Sequence, residues 1–69
     1  MKIEEVKRNL GKTVRLTLPR HYVDKDYVLT GCMIRKSPNG EFFYQAELKD
    51  TSAPKSVIIV SLDNVSVKN

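Results

Sequence analysis

Residues 27–49 read YVLTGCMIRKSPNGEFFYQAELK, and this stretch decides the fold because it predicts one long β-hairpin. Asn39-Gly40 supplies the residues that tolerate positive φ in a tight turn, and Pro38 favours the approach to that turn. The strand after the turn alternates in character, as a half-buried antiparallel strand does. Its predicted buried face carries Phe42, Tyr44, Ala46 and Leu48, and its solvent face carries Glu41, Phe43, Gln45, Glu47 and Lys49.

The residues before the hairpin predict a short amphipathic helix. Ile3, Val6 and Leu10 recur at helical spacing, with acidic residues early and basic residues late in the segment. Gly11 suits the position just after a helix end. A helix of about two turns is not stable alone, so we expect its apolar stripe to pack against a sheet.

Two segments join this helix to the hairpin. Residues 12–18 alternate apolar and polar side chains, which predicts a strand, and Pro19 is expected to end it. Residues 19–26, PRHYVDKD, are expected to form a polar loop. Loops of this length often carry binding residues, so this segment is a candidate contact region.

The rest of the chain predicts a bend and two further strands. Gly31 lies inside a strand, where glycine commonly marks a bulge or a sharp bend. Residues 50–55 read as a turn, and the apolar run at 57–60 is typical of a central buried strand. Residues 61–64 predict a single helical turn, and residues 65–68 a short final strand.

This element order resembles the SH3-like small barrels, and the leading helix resembles the Sm-like barrels. The resemblance implies a mainly β fold: a short N-terminal helix over residues 1–11, then a five-stranded, strongly bent antiparallel SH3-like small barrel over residues 12–69. It does not carry over recognition of proline-rich peptides, because the chain has no tryptophan and PRHYVDKDY departs from the acidic, tyrosine-rich loop of those domains. The Sm-like resemblance implies pairing of barrel edges between copies, so a homo-oligomer is left open.

Size and composition predict one cytoplasmic domain. The chain of 69 residues can bury only one small core, so residues 1–69 are expected to form a single domain. Cys32, the only cysteine, cannot form an intramolecular disulfide, which favours a reducing compartment. No apolar run approaches the roughly 18 residues of a membrane span, and the amino terminus lacks a signal-peptide pattern. We therefore expect no membrane partner.

The residues that carry catalysis are too few for an enzyme. His21 and Cys32 are the only residues of their types, and nothing in the sequence places an orienting carboxylate beside them. One histidine and one cysteine do not make a zinc site, and the glycines form no phosphate-binding loop. The sequence therefore predicts a protein that is not an enzyme and needs neither metal nor cofactor.

The charge balance favours a binding role. The net charge of +4 permits contact with nucleic acid, although many soluble domains carry a similar excess. An outward Phe43 among cations provides a ring for base stacking and positive charge for phosphates. The candidate contact residues are Arg15, Arg20, His21, Tyr22, Tyr27, Arg35, Lys36 and Phe43.

Two hypotheses follow from these residues. In the first, a basic face around Arg15, Arg20, Arg35 and Lys36 binds nucleic acid, mainly through phosphates and with little sequence readout. In the second, Tyr22, Tyr27, Phe43 or a free sheet edge binds a protein, as in a small inhibitor or accessory subunit of the kind common in phages and mobile elements. Phe43 also has a structural interpretation, which is packing beneath the helix or in a dimer contact.

Overall fold

A computed structural model describes residues 1–18, 23–52 and 56–68 of the chain. In order, its elements are helix α1 (Ile3–Asn9), strands β1 (Thr13–Leu18), β2 (Val23–Lys36), β3 (Phe42–Asp50) and β4 (Val57–Ser61), a 3₁₀ turn (Leu62–Asn64) and strand β5 (Val65–Val67). The predicted helix, the hairpin, the helical turn and the final strand are confirmed. Within the described ranges, no helix combines the length and the apolar character that a membrane crossing requires.

The five strands form one antiparallel sheet in the order β4-β3-β2-β1-β5. Strand β5 returns to pair with β1, so β4 and β5 are the two edges of the sheet. Among the described residues no ladder joins these edges, and the sheet is therefore open. The protein is a mainly β fold with one short helix.

The core lies on one face of this sheet. Its buried members are Val6, Val14, Leu16, Leu29, Ala46, Leu48, Leu62 and Val65. The alternation predicted for β1 is confirmed, since Val14 and Leu16 are buried between exposed polar neighbours. The α-amino group of Met1 donates to the carbonyl oxygens of Leu62 and Val65, which holds the start of α1 against the 3₁₀ turn.

The predicted irregularity at Gly31 is a β-bulge. The β2–β3 register pairs Leu29 with Leu48 and Gly31 with Glu47, so Thr30 is the extra residue on β2. The hydroxyl of Thr30 donates to the backbone oxygen of Glu47 at 3.1 Å and to its Oε2 at 3.0 Å. A side chain at Gly31 would approach that carboxylate, because an added Cβ lies 3.2 Å from Oε2.

The hairpin turn depends on its glycine. The amide of Gly40 donates to the carbonyl of Ser37 at 2.9 Å, which places Pro38 and Asn39 at the central positions of a β-turn. Gly40 follows with a φ of 88°, a conformation that glycine adopts without steric cost. The Oδ1 atom of Asn39 accepts a hydrogen bond from the backbone amide of Glu41 at 3.2 Å. The predicted positive φ at Gly40 is confirmed, but the turn lies one residue earlier than predicted, with Pro38 and Asn39 rather than Asn39 and Gly40 at its centre.

The prediction that Phe42 is buried was wrong, since 67% of this residue is exposed. Phe42 lies on the same face as Ala46 and Leu48, which are both fully buried. The core ends before the hairpin does, and the last residues of β3 project past it. Alternation identified the face of the strand correctly but not how far along it the core extends.

The apolar stripe predicted for α1 is confirmed only in part. Val6 is buried, but Ile3 and Leu10 are exposed by 36% and 47%. Asn9 is buried instead, and its side-chain amide donates to the carbonyl of Glu5 at 2.7 Å. This hydrogen bond satisfies a polar group that burial would otherwise penalise. Gly11 follows the helix with a φ of 82°, as expected for its position.

Two further predictions about the strands were wrong. Strand β2 begins at Val23, so the end of the expected loop at residues 19–26 is already strand; residues 19–22 lie outside the described residues. Strand β4 is an edge strand rather than a central one, with Val57 and Ile59 exposed by 50% and 45%. A continuous apolar run does not reveal strand order, which depends on pairing between distant segments.

Candidate binding surface

The predicted contact residues fall into three groups in the structure. Arg15 and Tyr27 lie on β1 and β2 near the first hairpin, and Arg35, Lys36 and Phe43 lie at the far end of the second. Arg20, His21 and Tyr22 lie outside the described residues. The sequence could not show this separation, because it depends on the lengths of β2 and β3.

Arg15 is partly neutralised by a carboxylate. It lies opposite Asp26 in the β1–β2 register, with Nε 3.5 Å from Oδ1. Lys68 Nζ also donates to Asp26. The hydrogen bond from Lys68, together with the charge of Arg15, holds the pKa of the Asp26 carboxyl below its usual range despite partial desolvation. The positive charges of Arg15 and Lys68 are therefore partly neutralised by Asp26 within the sheet.

Tyr27 is half-buried and packs against the core. The ammonium group of Lys25 lies 5.3 Å from the centroid of its ring and donates to Asp50 Oδ2 at 2.8 Å. Lys25, followed by hydrogen bonds from the hydroxyl and amide of Ser52, lowers the pKa of Asp50. These contacts tie the start of β2 to the end of β3. Tyr27 belongs to this structural cluster and offers only part of its surface to a ligand.

The far end of the second hairpin is the most open aromatic surface in the described residues. We name residues 33–45, which comprise the end of β2, the turn and the start of β3, the hairpin arm. On one face Phe43 lies directly opposite Arg35, and on the other face Phe42 lies directly opposite Lys36. The Lys36 Nζ atom is 5.8 Å from the centroid of the Phe42 ring. Each face of the arm thus pairs one cation with one aromatic ring.

Within the described ranges, no carboxylate neutralises these two cations. Neither Arg35 nor Lys36 forms an ion pair there, whereas Arg15, Lys25 and Lys68 all do. The single acidic residue of the arm is Glu41, at the end of the turn. The arm is therefore weakly positive, with its two positive charges beside exposed rings.

The arm also carries apolar surface that the sequence did not single out. Ile34 is 64% exposed and lies opposite Tyr44, on the same face as the Lys36–Phe42 pair. Sequence alternation assigned Phe42 to the core face and made no prediction for Ile34. The exposure of both residues follows from the place where the core ends in the folded protein. Phe43 is 41% exposed, consistent with its predicted outward face.

A cleft of about 550 Å³ opens beside the base of the arm. Its lining comprises Met1, Lys2, Ile3, Glu4, Phe42, Phe43, Tyr44, Ser61, Leu62 and Asp63. One wall is aromatic and comes from β3, and the opposite wall carries charges of both signs. Phe43 therefore faces a cleft that the first residues of α1 also line, and 41% of the residue remains exposed to solvent.

The predicted basic face is divided into two regions. Arg15 pairs with β2 at position 26, and Arg35 lies at position 35 of the same strand. This separation corresponds to as much as about 30 Å of extended strand. A ligand can therefore bind the hairpin arm without contacting Arg15.

The side chains that could support chemistry form no metal-binding cluster in the described part of the chain. Within residues 1–18, 23–52 and 56–68, no cluster of three or more His, Cys, Asp or Glu side chains is arranged to hold a metal ion. Cys32 is half-buried beside the core, and this burial raises the pKa of its thiol. A raised pKa disfavours the reactive thiolate, so the structure gives Cys32 no sign of activation.

No known protein family, curated protein or solved structure matches this chain. The hairpin arm and the cleft at its base are thus the features from which a function is proposed.

Proposed function

We propose that this protein is a non-enzymatic binding module that binds single-stranded nucleic acid through the hairpin arm. The observation that carries the proposal is the pairing of Arg35 with Phe43 and of Lys36 with Phe42 on opposite faces of the arm. Exposed rings stack on unpaired bases, and neighbouring cations contact the phosphates between them. Both groups are already ordered on strands, so binding does not require a loop to fold.

The geometry favours a single strand over a duplex as the ligand. The Phe42 side chain is open to solvent on the hairpin arm, where an unstacked base can reach the face of its ring. In a duplex the faces of the bases are occupied by their neighbours, and stacking on the protein would require a base to be turned out of the helix. Contact through rings and two cations also predicts little sequence preference.

We also propose that the open sheet curves into an SH3-like barrel. Support comes from the strand order β4-β3-β2-β1-β5, the 3₁₀ turn between β4 and β5, and the bulge at Gly31 in the longest strand. A core restricted to one face is also expected of a sheet that curls around it. The barrel would then act as the rigid base from which the hairpin arm projects.

Fluorescence anisotropy with a labelled oligothymidylate tests the binding proposal. We expect binding that weakens as salt rises from about 50 to about 200 mM, because cation–phosphate contacts release counterions. The double variant Arg35→Gln/Lys36→Gln should weaken binding about tenfold and reduce the salt slope by about 1.4, at about 0.7 for each single-strand contact. A matching duplex should bind more weakly than the single strand.

The matched control is Lys12→Gln/Lys49→Gln. It removes the same charge from exposed positions outside the hairpin arm, so it should change the affinity less than about threefold. Equal losses in the two double variants would show a non-specific attraction to net charge and would reject the arm as the site. Absence of binding at low salt, or binding that ignores salt, would reject the proposal altogether.

A second candidate function is recognition of a protein partner by the same arm. The observation that favours it is the exposure of Ile34 beside Phe42, since a contiguous apolar surface suits a protein better than phosphates. Capture of one stoichiometric protein after nuclease treatment, lost in Ile34→Ser but kept in Arg35→Gln/Lys36→Gln, would support this function. The opposite dependence on these variants is expected for nucleic acid.

A further inference from the structure

Strand β4 is an uncharged edge of the sheet. It is the terminal strand in the order β4-β3-β2-β1-β5, and in the described residues nothing pairs with its outer side. Its sequence, VIIVS at 57–61, contains no charged residue, although 29% of the whole chain is charged. Natural edge strands commonly carry charges or prolines that prevent pairing with other strands. Strand β4 has neither protection.

The register shows which backbone groups face outward. The Asp50 amide donates to the carbonyl oxygen of Ser56 at 3.1 Å. These two positions lie one step beyond the Lys49–Val57 pair of the β3–β4 register and continue it as a hydrogen-bonded pair. Hydrogen-bonded pairs alternate along an antiparallel ladder, so Ile58 and Val60 also turn their backbone groups toward β3. The N–H and C=O groups of Val57, Ile59 and Ser61 therefore point away from the sheet.

We propose that β4 pairs with β4 of a second copy of this chain, antiparallel across a two-fold axis at Ile59. In this register Ile59 lies opposite Ile59 of the second copy, and Val57 lies opposite Ser61 of the second copy. Each of these positions presents its outward N–H and C=O groups, so the new ladder has the correct hydrogen-bonding phase. The pairing joins two open sheets into one continuous sheet.

The properties of the strand favour a second copy over an unrelated peptide. A two-fold axis requires a self-complementary patch, and this register places uncharged residues opposite each other at every position of β4. The exposed side chains of Val57 and Ile59 form an apolar stripe that meets its own symmetry mate. The other edge, β5, spans only Val65–Val67 and offers a shorter ladder.

The size of the contact predicts a weak dimer. Stable interfaces bury about 800 Å² on each partner, and one short strand supplies less than this. We therefore expect a reversible dimer with a dissociation constant between about 1 µM and about 1 mM. This inference does not depend on the nucleic-acid proposal, because β4 and the hairpin arm are separate surfaces.

Sedimentation equilibrium over protein concentrations from about 10 µM to about 1 mM tests the dimer. Ile59→Pro is the sharpest variant, because the amide it removes points outward and the ladder to β3 is left intact. Ile59→Lys adds a charge at the axis. Both should weaken dimerisation at least tenfold, whereas Ile34→Lys, an equal change at an exposed residue off the edge, should leave it unchanged.

Amide hydrogen exchange in the wild-type protein provides a test that needs no variant. Protection of the Val57 and Ile59 amides should rise with protein concentration, while that of Ile58, already bonded within the sheet, should not change. A monomer at about 1 mM, dimerisation unaffected by Ile59→Pro, an equal loss in Ile34→Lys, or edge amides insensitive to concentration would each overturn the proposal.

Discussion

The Nζ atom of Lys36 lies 5.8 Å from the centroid of the Phe42 ring, at the free end of the β2–β3 hairpin. The two residues are register partners on the face that carries Leu48 and Ala46 farther along the strand. The same face is thus a buried core at one end and an exposed cation–aromatic pair at the other. This change along one strand separates the part of the sequence that folds the protein from the part available for binding.

Phe43→Leu and Phe42→Leu should each weaken binding of an oligothymidylate without unfolding the protein. Stacking of one base on a ring contributes about 1–3 kcal/mol, so we expect a loss of about 5- to 150-fold in affinity. Phe42 is 67% exposed, so thermal melting should show a change in stability within about 0.5 kcal/mol for Phe42→Leu. Phe43 is 41% exposed and lines the cleft, so Phe43→Leu should cost up to about 1 kcal/mol. Anisotropy and calorimetry on the same samples provide the comparison.

The matched control for the ring variants is Tyr27→Leu, because Tyr27 is an aromatic residue away from the hairpin arm. This change should leave affinity within about threefold of wild type, since Tyr27 serves the structural cluster around Lys25. Affinity that falls with Tyr27→Leu but not with Phe42→Leu or Phe43→Leu would move the site to the other end of the sheet.

The glycines at positions 40 and 31 should respond differently to alanine. Gly40 has a φ of 88°, where a side chain is strained, so Gly40→Ala should lower the free energy of unfolding by about 1–2 kcal/mol. Gly31 lies outside that region, and the only tight contact of an added Cβ is with Oε2, the end of the flexible Glu47 side chain, at 3.2 Å. Gly31→Ala should therefore change stability by less than about 1 kcal/mol.

Urea denaturation measures the free energy of unfolding of both variants. A thermal scan also resolves the difference between them, because 1 kcal/mol corresponds to a shift of about 4–8 °C in Tm for a domain of this size. A larger loss in Gly31→Ala than in Gly40→Ala would mean that Glu47 is fixed at the bulge, and that the bulge, rather than the turn, controls the hairpin.

Acid should destabilise the protein partly through Asp50. The hydrogen bond from Lys25, followed by those from Ser52, lowers the pKa of this carboxyl in the folded state. A lowered folded pKa stabilises the protein above the unfolded value of about 3.9, and this stability is lost as the pH falls through the folded pKa. The difference in Tm between wild type and Asp50→Asn should therefore be largest near neutral pH and shrink below about pH 4.

Replacing the cation tests the cause of this pH dependence. Lys25→Met should flatten the acid limb of the Tm profile in the same way as Asp50→Asn, since either change removes the pair. Lys12→Met, with the same change in charge elsewhere, should keep the wild-type slope. An unchanged slope in Asp50→Asn would show that other carboxylates control acid unfolding.

The element order was predictable from the sequence because side-chain alternation and turn residues act locally. The turn at Pro38 to Gly40, the bulge at Gly31 and the burial of Leu48 all follow from short-range patterns. Hydrophobic character alone did not predict the exposure of Phe42, because alternation does not show where the core ends.

Features that depend on pairing between distant segments could not be predicted. The edge position of β4 follows from strand order, and the contact of Arg15 with Asp26 follows from the β1–β2 register. The run DKD at 24–26 is polar, which indicated a loop, yet in the structure it belongs to β2, where Asp26 and Lys25 form ion pairs. Backbone pairing with β1 thus extends β2 through a segment that composition assigned to a loop, and the ion pairs accompany that pairing.

Mapping of amide chemical shifts during titration with an unlabelled oligothymidylate shows residue by residue whether the hairpin arm binds a single strand. We expect the largest changes within the hairpin arm, residues 33–45, and smaller ones at positions such as Arg15 and Ser66 on the β1–β5 side. Changes centred on Arg15, or a spectrum unaffected by the oligonucleotide at low salt, would contradict this expectation.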